Sequence, residues 1–252
     1  LDDFINFNDF KYQGDAFANL TIKNIFGKAP VELDITIDSF HINGDDFGQF
    51  SSSVNLPDLE SYGDFDLSIR NKKQAILANG PFFIPIAKSQ KGKPFDFRFK
   101  VDLQDLPLKI SEYFIGDAIS NTKGTLQGDL VLFNQDGKVS ISGKTMLNGF
   151  TTIDYLGTTY FMVNQEADMS STIFDLTGAI FLDEIGNRAI ATGGIVHNHF
   201  KKFGLDVELQ SDRFLFLNTN KIDNNLYYGK GIGSGTVDFT GNFKQTNIRA
   251  NL

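Results

Sequence analysis

The chain has 252 residues, enough for one or two domains, and 31 acidic against 23 basic residues give it a net charge of −8. That balance excludes nucleic acid, whose phosphates need clustered Lys and Arg, and simple docking on anionic headgroups. There is no Cys, which removes disulfides and thiolate chemistry, and 26 Phe and 7 Tyr stand beside no Trp, so a large apolar surface with few polar handles is expected.

No run of 18 apolar residues occurs, so no membrane-spanning helix is expected within the chain. The acidic, mixed opening LDDFINFNDF does not read as a signal peptide. A chain that begins at Leu1 is expected to be a fragment or a processed product, with any anchor of its parent elsewhere.

In chain order, NIFGKAP reads as a turn, and VELDITID then places Val31, Leu33, Ile35 and Ile37 on one face of a strand. ING (42–44) is another turn, and the polar run SSSVNLPDLESYG (51–63) reads as a long loop or weak edge. GDFDLSIRN repeats the alternation with Phe65, Leu67 and Ile69. After the turn SQKGKP comes FDFRFKVDL, with Phe95, Phe97, Phe99, Val101 and Leu103 opposed to Asp96, Arg98, Lys100 and Asp102.

The segment 106–121, LPLKISEYFIGDAISN, breaks this rhythm. Pro107 suits a first helical turn, and Ile110, Tyr113, Phe114 and Ile119 recur at helical spacing, so a short helix is expected near 108–118, interrupted at Gly116. Strands resume with Leu130 and Leu132, the Asp136-Gly137 hairpin turn, and Val139 and Ile141. DEIGNR is a looser turn; Phe203, Leu205, Val207 and Leu209 alternate, DNNLYYG turns, and Val237 and Phe239 close the series. One apolar and one wet face per strand favours antiparallel pairing.

Four stretches invite chemistry. GKGIGSGTVDFTG has glycine at 229, 231, 233 and 235, but no register gives the dinucleotide fingerprint and a strand follows, so close approach to a face without side chains is the better reading. SGKT (142–145) has the wrong spacing from Gly137 for a phosphate loop. His197 and His199 in VHNHF could share a strand face, but no third metal ligand is evident. The acids, Asp45, Asp46, Asp183 and Glu184 among them, fall on wet faces or in turns, and no catalytic pair stands out. No catalysis, cofactor or metal is therefore expected.

The apolar faces admit two readings: a closed β-sandwich core, the commoner solution, or a curved sheet whose inner face stays open as a trough. A sandwich that binds carbohydrate is disfavoured by the lack of Trp and the few Tyr.

The stretches TKGTLQGDLVLFNQDGKVSISGKTMLNGFTTIDYLGTTYFMVN, DEIGNRAIATGGIVHNHFKKFGLDVELQSDRFLFLNT and DNNLYYGKGIGSGTVDFTGNFKQTNIRANL together resemble the C-terminal region of TamB-type proteins, a branch of the AsmA-like group, in the form typical of Bacteroidota. The resemblance covers roughly residues 105–252; residues 1–104 match only in alternation and length. One departure is the turn NQDG, where the family often has a Gly-x-x-x-x-Pro step.

What the resemblance implies is an all-β, mainly antiparallel sheet curved into an elongated U-shaped groove (a β-taco), with residues 1–252 forming a single segment of a larger protein. It also implies a periplasmic location, a parent tethered to the inner membrane, a partner barrel of TamA/BamA type in the outer membrane, and a role in phospholipid transport or outer-membrane protein assembly. The groove expected on this reading is lined by the nineteen apolar residues from Leu33 to Phe239 named above, leaving out Val31, Phe95, Phe203 and the helix. Acyl chains would be sheltered there without covalent chemistry; the alternative is a structural adaptor that pairs a sheet edge with barrel strands. The helix is expected to cap the sheet rather than plug the groove.

Overall fold

The computed structural model describes residues 10–23, 30–86, 90–222, 228–243 and 245–252. The turns expected at NIFGKAP and DNNLYYG fall almost wholly outside them. Among the described residues the chain is all-β. The strands are β1 Tyr12–Ile22, β2 Val31–Ile42, β3 Asp45–Leu56, β4 Gly63–Asn71, β5 Gln74–Phe83 and β6 Asp96–Pro107, then β7 Ile119–Gln135, β8 Lys138–Ile153 and β9 Thr158–Met169. After these come β10 Ile173–Asp175, β11 Ile180–Leu182, β12 Arg188–Asn198, β13 Lys201–Thr219, β14 Gly229–Asn242 and β15 Gln245–Asn251. They form one 15-stranded sheet in which β1 to β10 follow chain order, continuing β12-β13-β14-β15; β11 pairs with β9 and β12.

Turn chemistry sets the registers. Asp136 and Gly137 have φ of 54° and 78°, and Asn43 and Gly44 have φ of 54° and 87°. Both pairs are two-residue turns with positive φ at each position, whose twist matches that of the strands they join. The expected helix is present as a 3₁₀ turn Leu108–Ser111, one α-helical turn Glu112–Ile115 (α1) and a second 3₁₀ turn Gly116–Ala118. Gly116, at φ 65° and ψ −143°, ends α1 in a conformation that favours glycine. A side chain ties this segment to the next strand: Glu112 Oε1 accepts the Thr122 backbone N–H at 2.9 Å.

The polar run 51–63 is not a loop throughout. Residues 51–56 are the second half of β3, which lies between β2 and β4; the connection is only 57–62. Serine is small enough to sit on either face of a sheet, so three consecutive serines hide the alternation without preventing it.

The chain divides into two compact units. The N-terminal unit is Leu1–Leu106 with Gly128–Gly143, and the C-terminal unit is Pro107–Gln127 with Lys144–Leu252. Each has its own apolar cluster, one centred on Leu56, Phe82 and Phe97, the other on Tyr160, Phe214, Val237, Phe239 and their neighbours.

Candidate functional site

Residues directly opposite one another in an antiparallel pair share a face, so the register defines the surface. In the N-terminal unit one row runs Ala18–Ile35–Ser52–Leu67–Ala78–Val101. The next runs Ala16–Ile37–Phe50–Ile69–Ile76–Leu103, and on the other side Leu20–Leu33–Val54–Phe65–Gly80. The interleaved row Asn19–Asp34–Ser53–Asp66–Asn79–Lys100 faces the other way and is polar throughout. Six strands at about 4.8 Å make the apolar face about 24 Å wide, and the run Val31–Ile37 makes it about 20 Å long.

This face is only partly covered. Leu33, Ile35, Ile37, Phe65, Leu67, Phe99, Leu103, Leu132 and Val139 are half-buried; Ile69, Phe97, Val101, Leu130 and Ile141 are buried. The rings of Phe65 and Phe99 meet at 4.9 Å although β5 lies between their strands. Gly80, opposite Phe65, puts no side chain between them, and a Cβ there would stand 2.1 Å from the Arg98 carbonyl oxygen.

The C-terminal unit carries the same pattern in a different state. Ala191–Leu209–Val237–Ala250 and Gly193–Val207–Phe239–Ile248 are its rows. Leu205 and Val207 are half-buried, but Leu209, Val237 and Phe239 are 5%, 2% and 4% exposed, packed with Met162, Phe181 and the fully buried Phe214. Leu156 and Tyr155, from the turn between β8 and β9, and Leu108, beside α1, belong to this cluster. The glycines of β14 serve it too. Gly233 lies opposite Phe214 and Gly231 opposite Leu217, and the Leu252 side chain covers Gly233. Leu217 and Leu252 would approach a Cβ at Gly231 and Gly233 to 3.3 Å and 3.1 Å respectively. Bulky neighbours stand close at Gly231 and Gly233, the Asn251 carbonyl oxygen stands close at Gly235, and nothing lies within 4 Å of a Cβ at Gly229.

The polar candidates resolve differently. SGKT lies within β8, and Lys144 forms exposed ion pairs with Glu166 and Asp168. Those carboxylates hold the Lys144 ammonium pKa above its usual value, chiefly through the hydrogen bond to Glu166. His197 is buried at the end of β12 against Phe174, whose ring centroid is 4.5 Å away, while His199 sits in the following turn at φ 49° and does not share a strand face with it. The His197 Nδ1 accepts the Phe200 N–H at 3.0 Å, and desolvation holds the imidazole pKa below its ordinary value. Among the described residues no three His, Asp or Glu side chains gather into a metal site.

Asp183 is the polar residue whose burial the sequence did not show. It lies in a turn, as expected, but is 3% exposed rather than wet. Its carboxylate accepts the Ile185, Asn187 and Leu215 backbone N–H groups and the Asn187 side-chain amide, all within 3.0 Å. Burial alone would raise its pKa; these donors outweigh it and hold the carboxyl below the usual range. The sequence signal was Asp followed by Gly-Asn three residues on, an Asx-type turn. Nearby, burial pushes the Tyr160 phenol up.

Such an arrangement defines a class: an antiparallel sheet protein with a broad apolar face and a polar reverse. Residues 177–252 match the family model described as the TamB C-terminal domain. Neither a curated protein nor a solved structure matches the chain. Among the described residues no helix is long and apolar enough to cross a membrane.

Proposed function

We propose that this protein shelters phospholipid acyl chains on the apolar face of its sheet while they cross the periplasm between the inner and outer membranes. Its parent would be tethered to the inner membrane and work with an outer-membrane barrel of TamA/BamA type. The observation that carries this reading is the half-buried apolar face of the N-terminal unit, backed by a polar row on the reverse.

Dimensions and energetics support it. One leaflet of a bilayer is about 15 Å of hydrocarbon, half the usual core. A face of about 20 Å by 24 Å accommodates a tail of that length in either direction. An exposed methylene costs about 0.8 kcal/mol, so continuous apolar cover is what a tail requires, and a floor of Leu, Ile, Val and Phe offers it with no preferred stopping point.

The test is extraction of the purified protein with organic solvent and mass spectrometry of the extract. Bound phospholipid is the expected result; a lipid-free protein would end the proposal.

A second reading is a structural adaptor in outer-membrane protein assembly. It is favoured by β15, which lies inside the family-matched region, has among the described residues a neighbouring strand on one side only, and is almost wholly exposed. An edge of that kind can pair with a barrel strand through backbone hydrogen bonds. Barrel binding that ignores the polarity of the apolar face would mark this role.

A further inference from the structure

The alternation that builds an open face in the N-terminal unit builds a covered one in the C-terminal unit, and the cover is part of this chain. Between β8 and β9 the turn Ile153–Gly157 joins the apolar cluster that contains Leu209, Val237 and Phe239. Leu156 is 4% exposed there, and the Tyr155 ring lies 6.4 Å from that of Phe239.

Backbone bonds fix the turn from both sides. The Asn218 N–H donates to the Leu156 carbonyl at 2.8 Å, and the Asp154 N–H donates to the Ala118 carbonyl at 3.1 Å. The Gly157 N–H closes the turn on the Ile153 carbonyl at 2.9 Å. Gly157 itself sits at φ 62°, and a Cβ would stand 2.3 Å from the Asn218 carbonyl oxygen, so the fit tolerates no side chain. Leu108, from the segment leading into α1, completes the cover.

We infer that the turn Ile153–Gly157 is a built-in plug that excludes acyl chains from the C-terminal unit and confines the lipid-binding surface to the N-terminal unit. This rests on the lipid-shelter reading and refines it. Of the nineteen groove residues expected from the sequence, the half-buried ones on β2, β4, β6 and the 130–141 hairpin contact the tail. Phe239 meets the Tyr155 ring of the plug, and Leu209 and Val237 lie in the same apolar cluster as Leu156. An acyl chain and the Leu156 and Tyr155 side chains compete for the same apolar rows, and the plug, being covalently attached and hydrogen-bonded at both ends, wins at any attainable lipid concentration.

The experiment uses the full chain and vesicles of phosphatidylcholine carrying a diazirine in mid-chain. After irradiation, cross-linked peptides are mapped by mass spectrometry. Cross-links are expected in 31–103 and 130–141, with yield in 205–239 about tenfold lower or less, the factor lost with about two unsheltered methylenes. Gly157→Val and the double change Tyr155→Ala with Leu156→Ala are each expected to extend cross-linking to 205–239, with circular dichroism verifying the fold.

Equal cross-linking of both regions in the unaltered protein would overturn the plug and leave the lipid reading standing. Folded plug variants whose 205–239 region stays unlabelled would also overturn it. If the variants do not fold, the map of the unaltered protein decides. No cross-links in either region would refute the lipid reading, and the plug with it.

Discussion

Leu67 and Val237 occupy equivalent places in the alternation of their strands, and the same substitution at each separates an open face from a packed one. Leu67 is half-buried and its cross-strand neighbours are Ser52 and Ala78, both small. An aspartate there keeps access to water and removes about half of a leucine's burial, so Leu67→Asp costs about 1 kcal/mol of stability. Val237 is 2% exposed. Val237→Asp leaves an unpaired carboxylate in an apolar cluster, about 3–5 kcal/mol, and forfeits about 2 kcal/mol of burial. The sum is comparable with the whole stability of many domains, about 5–15 kcal/mol.

For an acyl ligand the order reverses. A charge in the floor at residue 67 strips shelter from about two or three methylenes, about 2 kcal/mol, and weakens binding about thirtyfold. The assays are thermal unfolding by circular dichroism and titration with a fluorescent long-chain fatty acid. The expected outcome is a folded Leu67→Asp protein that binds poorly and a Val237→Asp protein that does not fold stably. A Leu67→Asp protein that unfolds like its counterpart, or that binds as before, would refute the reasoning.

Asp183→Ala deprives several buried N–H groups of their acceptor and is expected to lower stability by about 3 kcal/mol, read from denaturant unfolding. Because the folded carboxyl has a lowered pKa, its contribution is complete above the unfolded value of about 3.9 and is lost as pH falls further through the folded value. Asp183→Asn should therefore flatten the acid limb of the stability profile. The buried His197 also titrates low when folded, so its contribution is full above the unfolded value of about 6.5 and declines as pH falls below it. His197→Phe should remove that slope, in a melt series between neutral and mildly acidic pH. Gly235→Ala would place a Cβ 2.0 Å from the Asn251 carbonyl oxygen at φ 136°, so β15 should detach first, seen as faster hydrogen exchange over 245–251.

Most of the fold was legible because strands and turns announce themselves locally. The Asp136-Gly137 pair and the Phe97–Leu103 zigzag each depend on a few adjacent residues. So did the helix at 108–118, where Pro107 and the changed period coincide. Cover was not legible. The alternation around Val237 looks like that around Leu67, since period two reports which face a side chain takes and not what lies over it. The covering residues, Tyr155 and Leu156, come from a turn more than eighty residues away in sequence from Val237. The burial of Asp183 was hidden for the same reason: one of its donors is the Leu215 N–H, on β13. Serines 51–53 hid a strand that its neighbours impose.

The order of the sheet bears on how it comes to be built. From β1 to β9 each strand pairs with its successor in the chain. Every new ladder then requires closing only a short connection, whose entropic cost is small. Local hairpins form in about 1–10 μs. Assembly can thus begin at any hairpin and extend by zippering, without waiting for distant parts of the polypeptide to be delivered.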